Sequence, residues 1–199
     1  MFQSYWLPAL LGGLLLTWAG CCEPEIAGNV ANSLRPQETN NWCWAAVTQM
    51  LAEHEGIDVS QCDLANHRLG RTDCCDPQSD RDACRKTDSC NRPGWLELTH
   101  VGVSFSESTA ALAWDALQRQ LYCRRDPIGY AYGTPGVVGH VVVVKGYVEV
   151  AGTRYVILND PWAPCAGEER LITYEQYEDP TGTATHWRTW YNLSATPTP

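Results

Sequence analysis

The spacing of apolar residues changes once along the chain, from a helical period to a strand period. Residues 37–54 read Q-E-T-N-N-W-C-W-A-A-V-T-Q-M-L-A-E-H. From Cys43 onward the apolar positions recur every three or four residues, as on one face of a helix. The pattern predicts a helix that begins at Cys43, with Asn40 or Asn41 as its cap.

Two more helices are predicted before the period changes. Residues 59–68 show helical spacing, and either Asp58 or Ser60 could cap a helix there. Residues 106–109 read S-E-S-T, a sequence typical of a helix start. The apolar residues that follow at helical spacing are Ala110, Trp114, Leu117 and Leu121. We expect this third helix to pack its Trp and Leu face on a sheet.

Beyond residue 126 the chain is rich in Val, Ile and Tyr and is interrupted by Gly and Pro. This composition and its alternation are typical of strands. The predicted strands are residues 127–132, 137–144, 147–150 and 154–158. Helices followed by an antiparallel sheet indicate the α+β fold class.

The N-terminus carries an apolar run over residues 7–18, too short to span a membrane and typical of a signal peptide. The small residues before Cys21 are similar to a bacterial lipoprotein cleavage site, so Cys21 is a candidate lipid attachment site; ordinary signal cleavage is the alternative. The predicted divisions are a signal peptide (1–22), a linker (23–36), a folded domain (37–192) and a flexible tail (193–199). We expect an extracytoplasmic protein.

The charge balance narrows the choice of partners. The 199 residues carry a formal net charge of −9 and no stripe of Lys and Arg. This argues against nucleic acid or an anionic membrane surface as the main partner. Contact with a membrane is expected only through lipid on Cys21.

The ten cysteines point to disulfides, because exported proteins fold in an oxidising space. With Cys21 and Cys22 both set aside for the processing site and Cys43 kept reduced, seven cysteines remain. Either one of them is free or Cys22 pairs with one of them; the connectivity stays open. Adjacent cysteines at 74 and 75 do not have the spacing of a zinc site. We therefore predict disulfides, no metal and no cofactor.

Several polar residues at predicted element ends favour thiol chemistry. A cysteine in the first turn of a helix is stabilised as a thiolate by the helix dipole. Gln37 lies six residues before Cys43 and is a candidate donor to an oxyanion. His140 follows Gly139 in an otherwise apolar strand, and Asn159 and Asp160 end a later strand. Together they match the needs of a thiolate nucleophile, its base and an orienting group.

Three segments carry a resemblance to a known family. The motifs Q-x5-C-W-A-A, G-H-V-V-V-V-K-G-Y and V-I-L-N-D-P-W resemble the papain-like cysteine peptidases, above all a compact bacterial branch that includes bacteriocin-processing peptidase domains and secreted effector peptidases. The resemblance implies a nucleophile-bearing helix packed on an antiparallel sheet. It also implies Cys43 as nucleophile, His140 as base and acid, and Gln37 as oxyanion donor. The orienting residue would be Asp160 in the compact branch, or Asn159 as in papain.

Strand geometry decides which of the two side chains, Asn159 or Asp160, lies on the same face of the sheet as His140. If residues 151–152 form a two-residue turn, Val150 pairs with Thr153 and Asn159 lies on the His140 face of the sheet. One bulge, for which Gly146 is a natural site, reverses this and brings Asp160 to that face. We favour Asp160, since a carboxylate stabilises an imidazolium better than an amide does.

The sequence as a whole predicts an exported, monomeric thiol hydrolase that acts on peptides or proteins. An amidase on peptidoglycan peptides, a transglutaminase-like acyltransferase and a catalytically idle binding module are the alternatives. The other histidines are expected at the surface or in local hydrogen bonds. They are His54, His67, His100 and His186.

Overall fold

The fold is built on one antiparallel sheet. The computed structural model describes residues 22–75, 88–180 and 182–196, so residues 1–21 of the predicted signal peptide, Cys21 included, lie outside the described residues. The strands are β1 (Ala27–Asn29), β2 (Val103–Ser108), β3 (Ile128–Gly133), β4 (His140–Val150), β5 (Thr153–Asp160), β6 (Glu168–Thr173) and β7 (Thr185–Ala195). Their order is β2-β7-β3-β4-β5-β6, and β1 pairs with the far half of β4. The predicted α+β fold class is confirmed.

The helices are α1 (Cys43–His54), α2 (Gln61–Leu69), α3 (Trp114–Gln118), which continues as a π-helical turn over Arg119–Cys123, and α4 (Tyr174–Glu178). Helix α1 begins at Cys43, as predicted. Its cap was predicted wrongly: Trp42 occupies that position without a side-chain hydrogen bond. The side chain of Asn41 is engaged elsewhere, because it donates to the Asn91 carbonyl. Ser60 caps α2, as one of the two predictions had it.

The valine run in β4 is buried on both faces of the sheet. Val141 and Val143 pack with Val47, Met50 and Leu51 of α1. On the opposite face, the central strand packs against the α3 segment and α4; this second core includes Trp114, Leu117, Leu121, Val142, Val144, Tyr174 and Tyr177. A strand covered by helices on both sides is expected to be continuously apolar. The prediction that Trp114, Leu117 and Leu121 face a sheet is confirmed.

Several boundaries differ from the sequence-based expectations. Residues 106–108 end strand β2 and pair with β7, so the predicted helix starts only at Trp114. The two strands expected over 137–150 form the single strand β4. The predicted linker contains β1, whose backbone pairs with Gly146 to Val148. Strand β7 runs to Ala195, with Leu193 buried, so regular structure continues into the predicted tail.

Three disulfides join described cysteines: Cys22–Cys123, Cys62–Cys75 and Cys74–Cys90. Cys165 is disulfide-bonded as well. Cys22 therefore takes part in the fold. This agrees with the second alternative left by the cysteine count, in which Cys22 pairs with another cysteine. These pairs suggest an oxidising, extracytoplasmic environment. Among the described residues, no helix is long and apolar enough to cross a membrane.

Loss of the disulfide at the N-terminal segment should destabilise the fold strongly. The pair closes a span of 101 residues, against 13 for Cys62–Cys75. In a Cys43→Ser background, replacing Cys22 and Cys123 by Ser should lower the unfolding free energy by about 5 kcal/mol, against about 3 kcal/mol for Cys62 and Cys75. Urea unfolding without reductant measures both losses. A larger loss from the short-span pair would contradict the expectation.

Candidate active site

The register of β4 and β5 brings Asp160 to the face of His140. Val150 pairs with Thr153, as expected for a two-residue turn at 151–152. The register then shifts between Val144 and Gly146, so the predicted bulge is present. Beyond it Val143 opposes Asn159, which gives Asp160 the same orientation as Val142 and His140.

His140 and Asp160 are in direct contact. Nε2 of His140 lies 2.6 Å from Oδ1 of Asp160. The Asp160 side chain is 3% exposed and that of His140 is 22% exposed. Asn159 points away and donates to the Asn32 carbonyl at 2.9 Å. The structure therefore joins Asp160, and not Asn159, to the imidazole.

Cys43 lies beside this pair. It is the free cysteine among the described residues, it is buried, and it lines the same two cavities as His140. Because Nε2 of the ring faces Asp160, Nδ1 is the nitrogen available to the sulfur. Cys43 is also the first residue of α1, where backbone N–H groups have no partner within the helix.

The contacts around His140 favour its charged form. Burial lowers the pKa of His140, but the hydrogen bonds and charges of Asp160 and Cys43 outweigh it and raise the pKa to about 9. Burial raises the pKa of Asp160, yet His140, the Trp162 N–H and Arg170 together lower it below its usual value. The pair is therefore an imidazolium and a carboxylate at neutral pH.

A close contact behind the strand fixes the start of β4. Gly139 precedes His140, and a Cβ atom at Gly139 would lie 2.0 Å from the ring of Trp187. No larger residue fits there without moving that ring or the strand. The close neighbour of Gly139 is thus the ring of Trp187 on β7, and glycine is the residue that leaves room for it.

Gln37 is placed differently from the expectation. Its side-chain Nε2 donates to the carbonyls of Thr39 at 2.8 Å and Asn40 at 2.9 Å, which uses both of its N–H bonds. The residue is fully buried and is not among the described residues that line the cavities beside Cys43. Its Oε1 is buried without a hydrogen-bond partner in the described part of the chain. In this arrangement Gln37 has no N–H to offer an oxyanion.

Two cavities open beside Cys43 and His140, and both residues line each of them. The first, about 410 Å³, is mainly aromatic and aliphatic; its other walls include Trp95, Leu96, Val137, Val138, Trp187 and Trp190. The second, about 340 Å³, is more polar; it includes Asn40, Asn41, Tyr132, Asp160, Trp162 and Arg170. The thiol thus lies between an apolar and a polar wall.

The sequence interpretation missed Arg170 and Tyr132. Nη1 of Arg170 lies 2.7 Å from Oδ2 of Asp160, and the ring of Tyr132 meets that of His140 edge to face at 5.8 Å. No element was predicted over β6, although its sequence E-E-R-L-I-T alternates weakly. That alternation is the signal that could have found the strand, but not the pairing of Arg170 with Asp160.

The other histidines make local contacts. His186 bonds to the Tyr177 carbonyl and the Thr189 hydroxyl, at 3.2 and 2.8 Å. His67 and His100 are exposed, with their rings stacked at 3.2 Å. His54 lies 4.0 Å from Asp126. These positions agree with the expectation of surface or local hydrogen-bonding roles.

The structure of this chain is similar to solved structures of other proteins, three of which are compared with it by superposition. A mite allergen, from a study of antibody cross reactivity between Blo t 1 and Der p 1, superposes with a TM-score of 0.53 at 15% identity, covering 92% of this chain and 74% of that one. The peptidase domain of Streptococcus ComA, described as a bi-functional ABC transporter, gives 0.49 at 15% identity, with 83% and 99% covered. Digestive procathepsin L 3 of Tenebrio molitor gives 0.49 at 14% identity, with 87% and 71% covered.

The sequence itself gives the family. Residues 31–194 match the Peptidase_C39 like family. No curated protein matches the sequence. The fold and this match define a papain-like cysteine peptidase, which confirms the resemblance noted in the motifs. The chain belongs to the Peptidase_C39 like family.

Removal of the Asp160 charge should lower the pKa of His140. Asp160→Asn replaces the carboxylate by a neutral amide, so the pKa should fall from about 9 toward the usual 6.5. A histidine whose pKa is higher in the folded than in the unfolded protein stabilises the fold while it is protonated. In the wild type this stabilisation by His140 is fully present below about pH 6.5, the pKa in the unfolded chain, and is lost as the pH rises through about 9. NMR titration of the ¹³C-labelled ring measures the pKa.

Glu168→Gln is the matched control for this titration. Glu168 opposes Asp160 on β6, but its side chain is 64% exposed and lies 3.7 Å from Arg170. Its removal should leave the pKa of His140 within about 0.3 units of wild type. An unchanged pKa in Asp160→Asn would show that the carboxylate does not stabilise the imidazolium.

Proposed function

We propose that this protein is an exported, monomeric peptidase that hydrolyses peptide bonds through Cys43, His140 and Asp160. The observation that carries the proposal is the grouping of a reduced, buried Cys43 at a helix start with His140 in the walls of the same two cavities, and the 2.6 Å contact of that imidazole with the buried Asp160 carboxylate. A cysteine nucleophile needs an adjacent imidazole, which takes the thiol proton and later gives it to the leaving group.

The chemistry proceeds in two halves. The Cys43 thiolate attacks the carbonyl carbon of the scissile bond, and the His140 imidazolium gives its proton to the leaving amine nitrogen as the C–N bond breaks. The neutral imidazole then takes a proton from water, whose oxygen attacks the thioester. The C–S bond breaks, the carboxylic acid product leaves, and the thiolate and imidazolium pair is restored. Asp160 holds the ring and stabilises its charge throughout.

We assign the oxyanion contact to the backbone N–H of Cys43. That group begins helix α1 and carries the positive end of its dipole toward the reacting carbonyl. Gln37 contributes in another way, by holding the carbonyls of Thr39 and Asn40 and so shaping the loop that leads into α1. Its expected part as a direct donor would require these two hydrogen bonds to break.

The apolar cavity favours a substrate with a bulky apolar side chain beside the scissile bond. Trp95 is 46% exposed and Val138 is 59% exposed where they line it, so apolar surface is open to a ligand next to the thiol. Burying such a surface against a peptide side chain contributes favourably to binding.

Export of the protein is supported by its disulfides. Disulfides do not persist in a reducing cytosol. Among the described residues Cys22, Cys62 and Cys74 each form a disulfide with a described partner, and Cys165 is disulfide-bonded as well. We propose an extracytoplasmic location, reached with the N-terminal signal peptide, and lipid attachment at Cys21. Mass spectrometry of the mature N-terminus tests both.

Substitution of the three site residues should separate their roles. Cys43→Ala and His140→Ala should each lower kcat/KM by about 10⁴-fold, since they remove the nucleophile and its acid. Asp160→Ala should lower kcat by about 10²-fold, because the ring loses its orienting group. Turnover of a peptide library, read by mass spectrometry, measures these effects.

Asn159→Ala is the matched control, because its side chain faces the Asn32 loop. It should keep kcat within about threefold of wild type. An inactive Asn159→Ala beside an active Asp160→Ala would overturn the assignment of Asp160. Turnover of muropeptides without any turnover of the peptide library would instead support the amidase alternative.

Truncation of the apolar wall should change substrate preference. Trp95→Ala should lower kcat/KM about tenfold for peptides with a bulky apolar residue near the scissile bond, with less change for glycine at that place. Leu171→Ala is the control, since Leu171 is also an exposed apolar side chain but lies on β6, outside that cavity. An equal loss for both classes of peptide would contradict a binding role for Trp95.

A further inference from the structure

The Asp160 carboxylate is held on both of its oxygens. Oδ1 accepts from His140 Nε2 at 2.6 Å and from the Trp162 backbone N–H at 3.0 Å. Oδ2 accepts from Nη1 of Arg170 at 2.7 Å. With Oδ2 fixed in this way, rotation of the carboxylate about its last bond would break a charge-assisted hydrogen bond on each side.

The sheet explains why Arg170 reaches Asp160. On β6, Glu168 directly opposes Asp160, and Arg170 opposes Leu158. Arg170 lies two residues beyond Glu168 and therefore on the same face, one diagonal step from Asp160. A long side chain with a planar fork can cover that diagonal and bind a carboxylate oxygen.

Arg170 shares the polar cavity with Tyr132 of β3. Tyr132 directly opposes His140 on β4, and the rings of these two residues meet edge to face. Tyr132 and Arg170 line the cavity together with His140 and Asp160. The Arg170 side chain is 38% exposed.

We infer that Arg170 is a positioning residue of the site: by binding Oδ2 of Asp160 it keeps Oδ1 directed at His140, and so keeps the imidazole beside Cys43. The inference rests on the proposed function of Cys43 and His140. Arg170 itself touches neither the sulfur nor the imidazole in this role; it acts through Asp160.

The charged and titratable groups around His140 set the direction of the expected effect. They are Cys43 from α1, Tyr132 from β3, Asp160 from β5, and Arg170 from β6, with Glu168 beside it. Loss of Arg170 frees Oδ2 of Asp160 and so loosens the carboxylate that holds the imidazole. An imidazole that is no longer held beside Cys43 takes the thiol proton less effectively, so alkylation of the sulfur should slow.

The rate of alkylation of Cys43 by iodoacetamide tests the inference without a known substrate. The peptide that contains Cys43 is identified by mass spectrometry, and Cys43→Ala is the blank. At about pH 6, Arg170→Met should lower the second-order rate constant about five- to tenfold, and Arg170→Lys should recover it to within about threefold of wild type. A merely structural role would move the melting temperature and leave this pH-dependent rate unchanged.

A double variant shows whether Arg170 acts through Asp160. Asp160→Ala alone should be slow, and adding Arg170→Met to it should change the rate less than about twofold, because the carboxylate that Arg170 holds is already absent. Arg154→Met is the matched control. Arg154 is a half-exposed arginine near the far end of β5, 3.8 Å from Glu149, and its loss should leave the rate at the wild-type value.

Three outcomes overturn the inference: a wild-type rate in Arg170→Met beside a slow Asp160→Ala, a full further loss in the double variant, or an equal loss in Arg154→Met. Failure of the proposed function has a different signature. In that case wild-type Cys43 itself would react at about pH 6 no faster than an ordinary thiol, for which the thiolate is rare at that pH.

Discussion

The contact between His140 and Asp160 depends on a single extra residue in one strand. The turn at 151–152 places Ala151 and Gly152 at positive φ, 50° and 79°, which suits a tight two-residue hairpin. Continued without interruption, that hairpin would turn Asn159 toward the histidine. The bulge between Val144 and Gly146 reverses the alternation and delivers a carboxylate in place of an amide. The electrostatics of the site therefore follow from backbone register.

The disulfide-rich insert is linked to the same site through the start of α1. The indole N–H of Trp42 donates to the Cys90 carbonyl at 2.8 Å, and that of Trp44 donates to the Arg92 carbonyl at 3.0 Å. Cys90 is in turn bonded to Cys74. The two tryptophans that flank Cys43 thus anchor the helix start to a cross-linked loop, so the insert helps to hold Cys43, the nucleophile that we propose.

The parts of the molecule that follow from local sequence were predicted, and the parts that need distant pairing were not. The start of α1, the Ser60 cap and the valine run of β4 each rest on neighbouring residues. Residues 106–108 have a helix-start sequence, but pairing with β7, about 85 residues away, makes them a strand. Arg170 was missed for the same reason, since only the β5 and β6 register brings it to Asp160.

The position of Gln37 follows from the need of buried backbone carbonyls for hydrogen-bond donors. The loop of residues 39–40 turns sharply into α1 and leaves two carbonyls directed at one amide nitrogen. An amide flip would set Oε1 against both carbonyls, so the observed orientation is the one that hydrogen bonding allows. The cost is a buried Oε1 without a partner in the described chain. Because the Gln37 amide is already hydrogen-bonded to the loop, the oxyanion contact that we propose rests on the backbone N–H of Cys43 at the helix start.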